Sequence, residues 1–378
     1  MAGTRLTQTS FSRGELAPAL YMRTEIEQYS LGSKEIKNGF IHQEGCVSNR
    51  SGLEFIGEVK DSNKETRNIP FCFNSEQTYI IEAGDMYFRF IQDGGYIVYS
   101  DEYKDESKRG QIVEIATPYK KEDLVNLKIV QSADVLTITH IDYTPRELIR
   151  YDHDNWELKE IIIEPCIAAP TNIKAVWTGK TDSYTRTYSY LVTAVDKETL
   201  EESVRSTVAS ATGHREANWL SGEYMTITWN AVEGAAEYNV YRNVNGIYGY
   251  VGTAEGTSFV DDNIEPDLKE AAPIFENPFK EGNNPTCATY FQQRKVYASS
   301  KDNPQTFWAS QLATSNNFNI SRPLIASDAI TQTLADREVN EIRHLVGLNH
   351  LIALTSNTEY RINGSDGVFE ANPSPVAT

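Results

Sequence analysis

The residue types that could carry chemistry in this chain are six histidines, four cysteines, several strand-borne arginines and one acidic turn, and their spacing limits what each could do. Two histidines on one helical turn with a glutamate between them would bind zinc, but no HExxH or other metal spacing occurs. There is also no GxSxG elbow, no GxxxxGK[ST] phosphate loop and no GxGxxG after a strand. The chain therefore reads as a non-enzyme with no cofactor and no metal residues. Cys46, Cys72, Cys166 and Cys287 lie far apart without a CxxC pair, which suits neither zinc nor a disulfide framework, and they read as small buried apolar residues. "DKETLEES" (Asp196 to Ser203) lacks the D-x-[DN]-x-[DN]-G ladder of a calcium loop and reads as a solvated turn. Arg89, Arg146, Arg294, Arg343 and Arg361 would form a carboxylate-binding cluster if the fold gathered them; single arginines at strand ends are more commonly surface ion pairs.

The sharpest local pattern is "SSKDNPQTFWAS" (Ser299 to Ser310), which resembles the Asp-box turn, S-x-D-x-G-x-T-W, of sialidase-type propellers. Ser300, Asp302 and Thr306 fit, whereas Pro304 stands where the turn glycine belongs and Trp308 falls one position late. That box is a folding element, distant from the chemistry of those enzymes, so it argues for sheet-built blades and not for sugar cleavage.

The elements that would position these residues are mostly strands. From about residue 50, short alternating runs punctuated by Gly, Asn, Asp and Pro dominate, with turn signals at Asn49 to Gly52, Asn74-Ser75, Ala83-Gly84-Asp85 and Asp93-Gly94-Gly95. One outline recurs in Thr78 to Ile91, Val135 to Tyr151, Lys295 to Ser310 and Leu351 to Asn363: a strand, a polar turn, then a strand with an aromatic or long apolar residue. Copies about 50 to 60 residues apart suggest four to five blades of a β-propeller, and a sandwich of stacked meanders would read alike. Helix signals are few. Thr24 and Glu27 form a T-x-x-E capping box before Ile26, Tyr29 and Ile36, and a second short helix fits Lys120 to Leu127. Ahead of the first helix, "FSRGELAPALY" has no sustained period and reads as an extended arm.

A different module interrupts the repeats. In "MTITWNAVEGAAEYNVYR", Met225, Ile227 and Trp229 point one way and Thr226 and Thr228 the other; Tyr238 and Val240 resume the alternation, and Asn245-Gly246 supplies a hairpin turn. These runs resemble strands of a fibronectin type III sandwich with Trp229 in its core. The segment resembling that fold's final hairpin, "YSYLVTAVDKETLEESVRSTVASAT", comes before the Trp229 strand, and Ala169 to Val176 would be the entry strand, so the order looks circularly permuted. The expected organisation is mainly β: residues 1–60 an arm, short helix and first strands; 61–165 propeller-like meander blades; 166–268 an inserted fibronectin type III-like sandwich; 269–378 further blades, with the natural chain continuing beyond them.

Bulk composition narrows the partners. A net charge of -18, with no Lys/Arg-rich run, argues against a tight grip on nucleic acid. An acidic surface can still face DNA where the task is to avoid adhesion, because like charge suppresses counterion-releasing contacts. No apolar stretch approaches the roughly 20 residues that span a bilayer, and the amino terminus lacks the apolar core of a secretory signal, so no membrane segment and assembly in the cytoplasm are expected.

The stretch "FSRGELAPALYMRTEIEQYSLGSKEIKNGFIHQEGCVSNRSGLEFIGEV" resembles the start of a family of tail tubular or nozzle-type proteins of short-tailed phages and prophages. Phe11, Gly14, Glu15, Pro18, Leu20, Arg23, Glu25, Tyr29, Arg50, Gly52 and Phe55 match its pattern; Cys46 and Ser48 to Asn49 depart from the small or basic residues found there in relatives. The likeness continues through "QSADVLTITHIDYTPRELIR", "EYNVYRNVNGIYGYVGTAEGTSFVDDNIEPD", "YFQQRKVYASSKDNPQTFWAS" and "DREVNEIRHLVGLNHLIALTSNTEYRI". It implies a virion tail protein forming a ring, six-fold in the tail tubes it resembles, next to portal, adaptor and other tail proteins, with double-stranded DNA passing through its lumen. Candidate intersubunit contacts are Phe11, Arg13, Glu15, Leu16, Pro18, Leu20 and Tyr21, because an extended segment without a local core gains order from a neighbour. Two other classes fit the residues less well: a secreted or surface adhesin that binds carbohydrate, and a propeller glycoside hydrolase.

Overall fold

Four antiparallel meanders and one pair of facing sheets account for most of the chain in the computed structural model, which describes residues 8–74, 77–180, 184–335, 339–363, 368–370 and 374–377. The fold is mainly β. It divides into two compact units, Met1–Glu58 and Val59–Thr378.

The first unit is built from turns. A 3-10 turn at Pro18–Leu20 starts with proline, whose missing N–H costs nothing there, and a single helical turn follows at Glu27–Ser30. The ribbon Gly39–Ile41 pairs with Val47–Asn49. The capping box expected at Thr24 and Glu27 does not form: the residue before the helix is Ile26, in extended geometry, with no side-chain cap. Two local effects shorten the helix. Ser30 Oγ donates back to the Glu27 carbonyl (2.8 Å), and Ser33 leaves helical geometry to bridge Glu15 in parallel. Gly32 sits where a Cβ would meet the Leu16 side chain at 2.6 Å, so only glycine allows this approach. The arm is not simply extended either, since Phe11 to Gly14 close a turn (Gly14 N to Phe11 O, 2.9 Å). No strand follows the turn expected at Asn49 to Gly52; residues 51–58 are irregular, with Leu53 and Phe55 exposed.

In the second unit, each of the four recurrent outlines forms the second and third strands of an antiparallel sheet, five-stranded for the first outline and four-stranded for the other three. Meander 1 runs Arg67–Cys72, Thr78–Gly84, Tyr87–Gln92, with its fourth position shared by two short pieces, Gly95–Tyr96 and Glu114–Ala116. Meander 2 is Lys128–Ser132, Val135–His140, Tyr143–Arg150 and Trp156–Glu160. Meander 3 is Cys287–Phe291, Arg294–Ala298, Thr306–Ala309 and Ile330–Thr333. Meander 4 is Ile342–Gly347, Leu351–Thr355, Glu359–Asn363 and Ser374–Ala377. That last strand was not expected from sequence; it is short and carries Pro375, which an edge position tolerates. Ser75 of the expected Asn74-Ser75 turn lies outside the described residues.

Alternation explains which faces meet. Meanders 1 and 2 share a core in which Ile69, Phe71, Phe88, Phe90, Leu136 and Trp156 pack, with Trp156 stacked on Phe90 at 4.2 Å between centroids. Meanders 3 and 4 share a second core around Val296, Phe307, Ile342, Leu351 and Ile362. The helix expected at Lys120 to Leu127 is a 3-10 turn, Leu124–Asn126. Leu124 and Leu127 are both buried at the i, i+3 spacing that a 3-10 turn aligns, and Arg67 Nη1 donates to both of their carbonyls at 2.7 Å.

Between meanders 2 and 3 lie two further sheets. One has five strands in the order Ala209–His214, Thr185–Asp196, Ala235–Val244, Ile247–Ala254 and Asp267–Ala271. The other has three: Lys174–Thr178, Tyr224–Thr228 and Ser258–Asp261. Their facing sides bury Tyr188, Tyr190, Val192, Met225, Ile227 and Val240 in one core. Asn245 (φ 53°) and Gly246 (φ 92°) make the tight hairpin turn their types favour. The last strand, Asp267–Ala271, crosses the boundary expected at 268.

Candidate functional site

The residues singled out by sequence have diverse fates. In the first unit four of the seven arm residues, Arg13, Glu15, Leu16 and Tyr21, are bonded to segment 31–36. Arg13 N donates to Leu31 O (3.2 Å), Leu16 N to Ser33 O (2.9 Å), the Glu15 carboxylate accepts Ile36 N–H, and Tyr21 OH reaches Lys34 O (3.3 Å). Pro18 and Leu20 form the 3-10 turn, and Phe11 N donates to Gly45 O (2.7 Å). These ties order the backbone without a core, since Phe11, Leu16 and Leu20 are only half-buried.

The five arginines are used separately. Arg89 pairs with Glu114 (3.0 Å) and Arg146 with Glu160 (3.4 Å). Arg361 faces Ile352 across meander 4, and Arg343 borders a cavity described below. Arg294 corrects the surface reading outright: it is fully buried, and its guanidinium donates to the carbonyls of Ser310 (2.6 Å), Asp328 (2.7 Å) and Ala326 (2.8 Å). It organises the loop between the third and fourth strands of meander 3.

The box-like segment is a tight connection inside meander 3. Ser300 Oγ accepts Asn303 N–H (3.2 Å), Ser299 N donates to Thr306 O (2.9 Å), and Thr306 Oγ1 lies 2.8 Å from Thr333 Oγ1. Asp302 is exposed and Trp308 is buried against Phe279, so the segment folds the turn. The acidic turn is solvated as expected only over Lys197 to Leu200, while Glu201 and Ser203 are buried; Asp196 Oδ1 accepts Glu198 N–H and Thr199 N–H (2.9 and 2.8 Å), which lowers its pKa. The cysteine reading holds for Cys287 alone; Cys46, Cys72 and Cys166 are exposed, Cys72 because it falls on the outward phase of its strand. Burial pushes the Cys287 thiol up to about 12, and partial desolvation at the thiol together with the Glu201 carboxylate pushes the otherwise exposed Cys166 up to about 11, so neither offers a thiolate at neutral pH.

A polar cavity of about 330 Å³ lies where meanders 2, 3 and 4 meet. Asp123, Lys128, His140, Asp142, Glu341 and Arg343 line it. His140 is buried; its Nδ1 accepts Asp142 N–H (3.1 Å), which puts the proton on Nε2, and Nε2 has no acceptor among the described residues. Burial lowers the His140 pKa against the raising effect of Asp123 and Asp142. Lys128 Nζ donates to His344 Nε2 (3.0 Å), and partial burial with the Lys128 and Arg343 charges lowers the His344 pKa. Asp142 pairs with Lys301 (2.6 Å), and Asp123 accepts Tyr143 OH (2.6 Å). Two cations, Lys128 and Arg343, face three carboxylates in the lining, and Lys301 neutralises Asp142 from outside it, so the cavity has no strong preference for either sign. Sequence gave no signal for it, because its members come from segments up to 220 positions apart.

No protein-family model matches this chain, and no curated protein matches it. The geometry must therefore stand alone. Among the described residues no group of three or more His, Cys, Asp or Glu side chains is placed to hold a metal ion, and no helix is long and apolar enough to cross a membrane.

Proposed function

We propose that this chain is a structural subunit of a phage or prophage virion tail, contributing with further copies to a ring or tube through which double-stranded DNA leaves the particle. What supports this most directly is the use made of buried charge. Lys295 in meander 3 reaches Glu147 in meander 2 (2.6 Å), Arg294 holds three loop carbonyls, and Arg242 pairs with Asp261 (2.7 Å) inside the inserted sheets. Glu82 accepts Tyr87 OH (2.6 Å) and Tyr96 OH within meander 1. Each tie joins strand to strand, sheet to sheet or, for Arg294, strand to loop. Breaking one leaves an uncompensated buried charge, so sheets tied in this way resist deformation. Such stiffness suits a conduit wall.

On this reading the four meanders are blades of a propeller-like wall, and residues 166–268 form a fibronectin type III-like sandwich in permuted strand order, offered outward to neighbouring subunits, portal, adaptor or other tail parts. The chain needs no cofactor and performs no catalysis. Part of its acidic excess lines the bore, where like charge keeps DNA from adhering. It is assembled in the host cytoplasm and resides in the virion tail.

The test is electron microscopy of the purified chain and of particles made with and without its gene. Rings with a central channel, and particles without the gene that lack part of the tail, are the expected outcome. Particles that build a complete tail and deliver DNA without it would overturn the proposal, and a basic lumen would overturn the acidic-bore element.

A further inference from the structure

The first unit exposes several large apolar side chains. Among its described residues only Gly32 and Gly45 are buried, and it contributes nothing to any of the apolar cores. Meanwhile Met22 is 85% exposed, Phe40 61%, Leu53 86% and Phe55 83%. A two-stranded ribbon is marginal in water by itself, so the order of this unit needs support.

We propose that residues 8–58 are a docking arm whose apolar surface, centred on Phe40, Leu53 and Phe55, is covered by a second copy of this chain. The inference rests on the ring reading above and names the segment that would join its subunits.

Two quantities favour a second copy. The first is area. A fully exposed large apolar side chain presents on the order of 150–200 Å², so Met22, Phe40, Leu53 and Phe55 together offer about 500 Å². An ordinary interface buries about 800 Å² per partner, a little over half of it apolar. The arm thus carries the apolar content of one such interface.

The second is charge. Residues 1–58 hold six Lys/Arg and seven Asp/Glu, a net charge of -1, which leaves -17 on residues 59–378. Two such acidic bodies repel, and the nearly neutral arm is the part of each that approaches the other at least electrostatic cost. A head-to-tail arrangement, in which every copy gives one arm and receives one, also leaves no apolar surface uncovered once the ring closes. Internal ties, including Phe11 N to Gly45 O and Ser33 N to Gly14 O (2.8 Å), pre-order the arm, which reduces the entropy lost on docking.

The experiment places a photocrosslinking p-benzoylphenylalanine at Phe55, and separately at Phe40, in the full-length chain. Unlabelled and ¹⁵N-labelled copies are assembled together and the adducts with residues 59–378 are sorted by mass. Mixed-label adducts in the proportion that random pairing gives are expected. Adducts confined to one label would show the arm lying on its own body, and adducts absent altogether would show that it docks on no copy; either overturns the proposal. The Leu53→Asp/Phe55→Asp variant is expected to lose self-association in sedimentation while its thermal unfolding midpoint stays unchanged. Self-association equal to that of the unmodified chain would also overturn it. Rings whose adducts are all single-label sink the arm and spare the tail reading; mixed-label adducts from a chain that virions do not contain do the reverse.

Discussion

Lys295 is wholly buried and holds its ammonium 2.6 Å from Glu147 Oε1, so meander 3 is tied to meander 2 by a charge pair inside the protein. The rings of Tyr290 and Tyr297 flank the ammonium at 5.7 and 5.6 Å. Glu147→Gln leaves that ammonium without its counter-charge, and removing one partner of a buried pair costs 3–5 kcal/mol in comparable cases, so a loss of about 3 kcal/mol is expected. Replacing both residues, Lys295→Met with Glu147→Leu, is expected to stay within about 1 kcal/mol of the unmodified chain. Urea unfolding of the two variants decides it. Equal costs for the two would mean the stability lies in packing and not in the charge.

Arg294 makes a different prediction, because its partners are carbonyls held in a fixed array. Lysine carries the same charge but cannot present the planar fork that meets three oxygens at once. Arg294→Lys is therefore expected to cost about 2–3 kcal/mol through lost charged hydrogen bonds and to speed amide exchange in residues 311–327. Unchanged exchange in that loop, measured by mass spectrometry, would show that the loop is held by other means.

These two neighbours also show where the sequence stops being legible. The middle strands of each meander were readable because they are short runs rich in β-branched and aromatic residues, as in Thr78–Gly84 and Tyr87–Gln92, and the turns between them carry Gly, Asn or Asp. The flanking strands were harder: Gly95–Tyr96 is two residues long, and Ser374–Ala377 contains a proline. Arg294 read as a surface charge, and nothing marked Lys295 as buried, because burial of a cation depends on its partner, and Glu147 lies 148 positions from Lys295. In the first unit, local helix signals at Thr24 and Glu27 lost to the pairing of Ser33 with Glu15. The His140 cavity was invisible for the same reason, as its walls come from three meanders.

Trp229 was legible, and its surroundings sharpen what it does. It is buried against Tyr238 at 5.3 Å between centroids, yet its Nε1–H has no acceptor among the described residues. The indole therefore contributes shape and apolar area, with no hydrogen bond to lose. Trp229→Phe is expected to cost less than about 1.5 kcal/mol, since the lost volume is partly offset by removing an unpaired donor. Trp229→Ala is expected to cost about 3–5 kcal/mol by leaving a cavity. A Phe variant as damaging as the Ala variant, by urea unfolding, would show that the N–H has a partner.

His140 in the polar cavity and His344, bonded to the cavity's Lys128, set a pH window. Burial lowers His140, opposed by Asp123 and Asp142 and assisted by Lys301; partial burial, Lys128 and Arg343 lower His344. With folded values below the ordinary value of about 6.5, the unfolded chain takes up protons first as the solution is acidified. Proton uptake by the unfolded state lowers stability, so the contribution is complete above about pH 6.5 and is lost as pH falls toward the folded values. Asp142 and Glu114, both held below the usual carboxylate range, act in a separate and more acidic window. The thermal midpoint is therefore expected to fall by roughly 2 °C between pH 7 and pH 5. His140→Gln with His344→Gln should remove most of that fall while leaving the steeper loss below pH 4 in place. A double variant with the same slope between pH 7 and pH 5 would assign the effect to other groups.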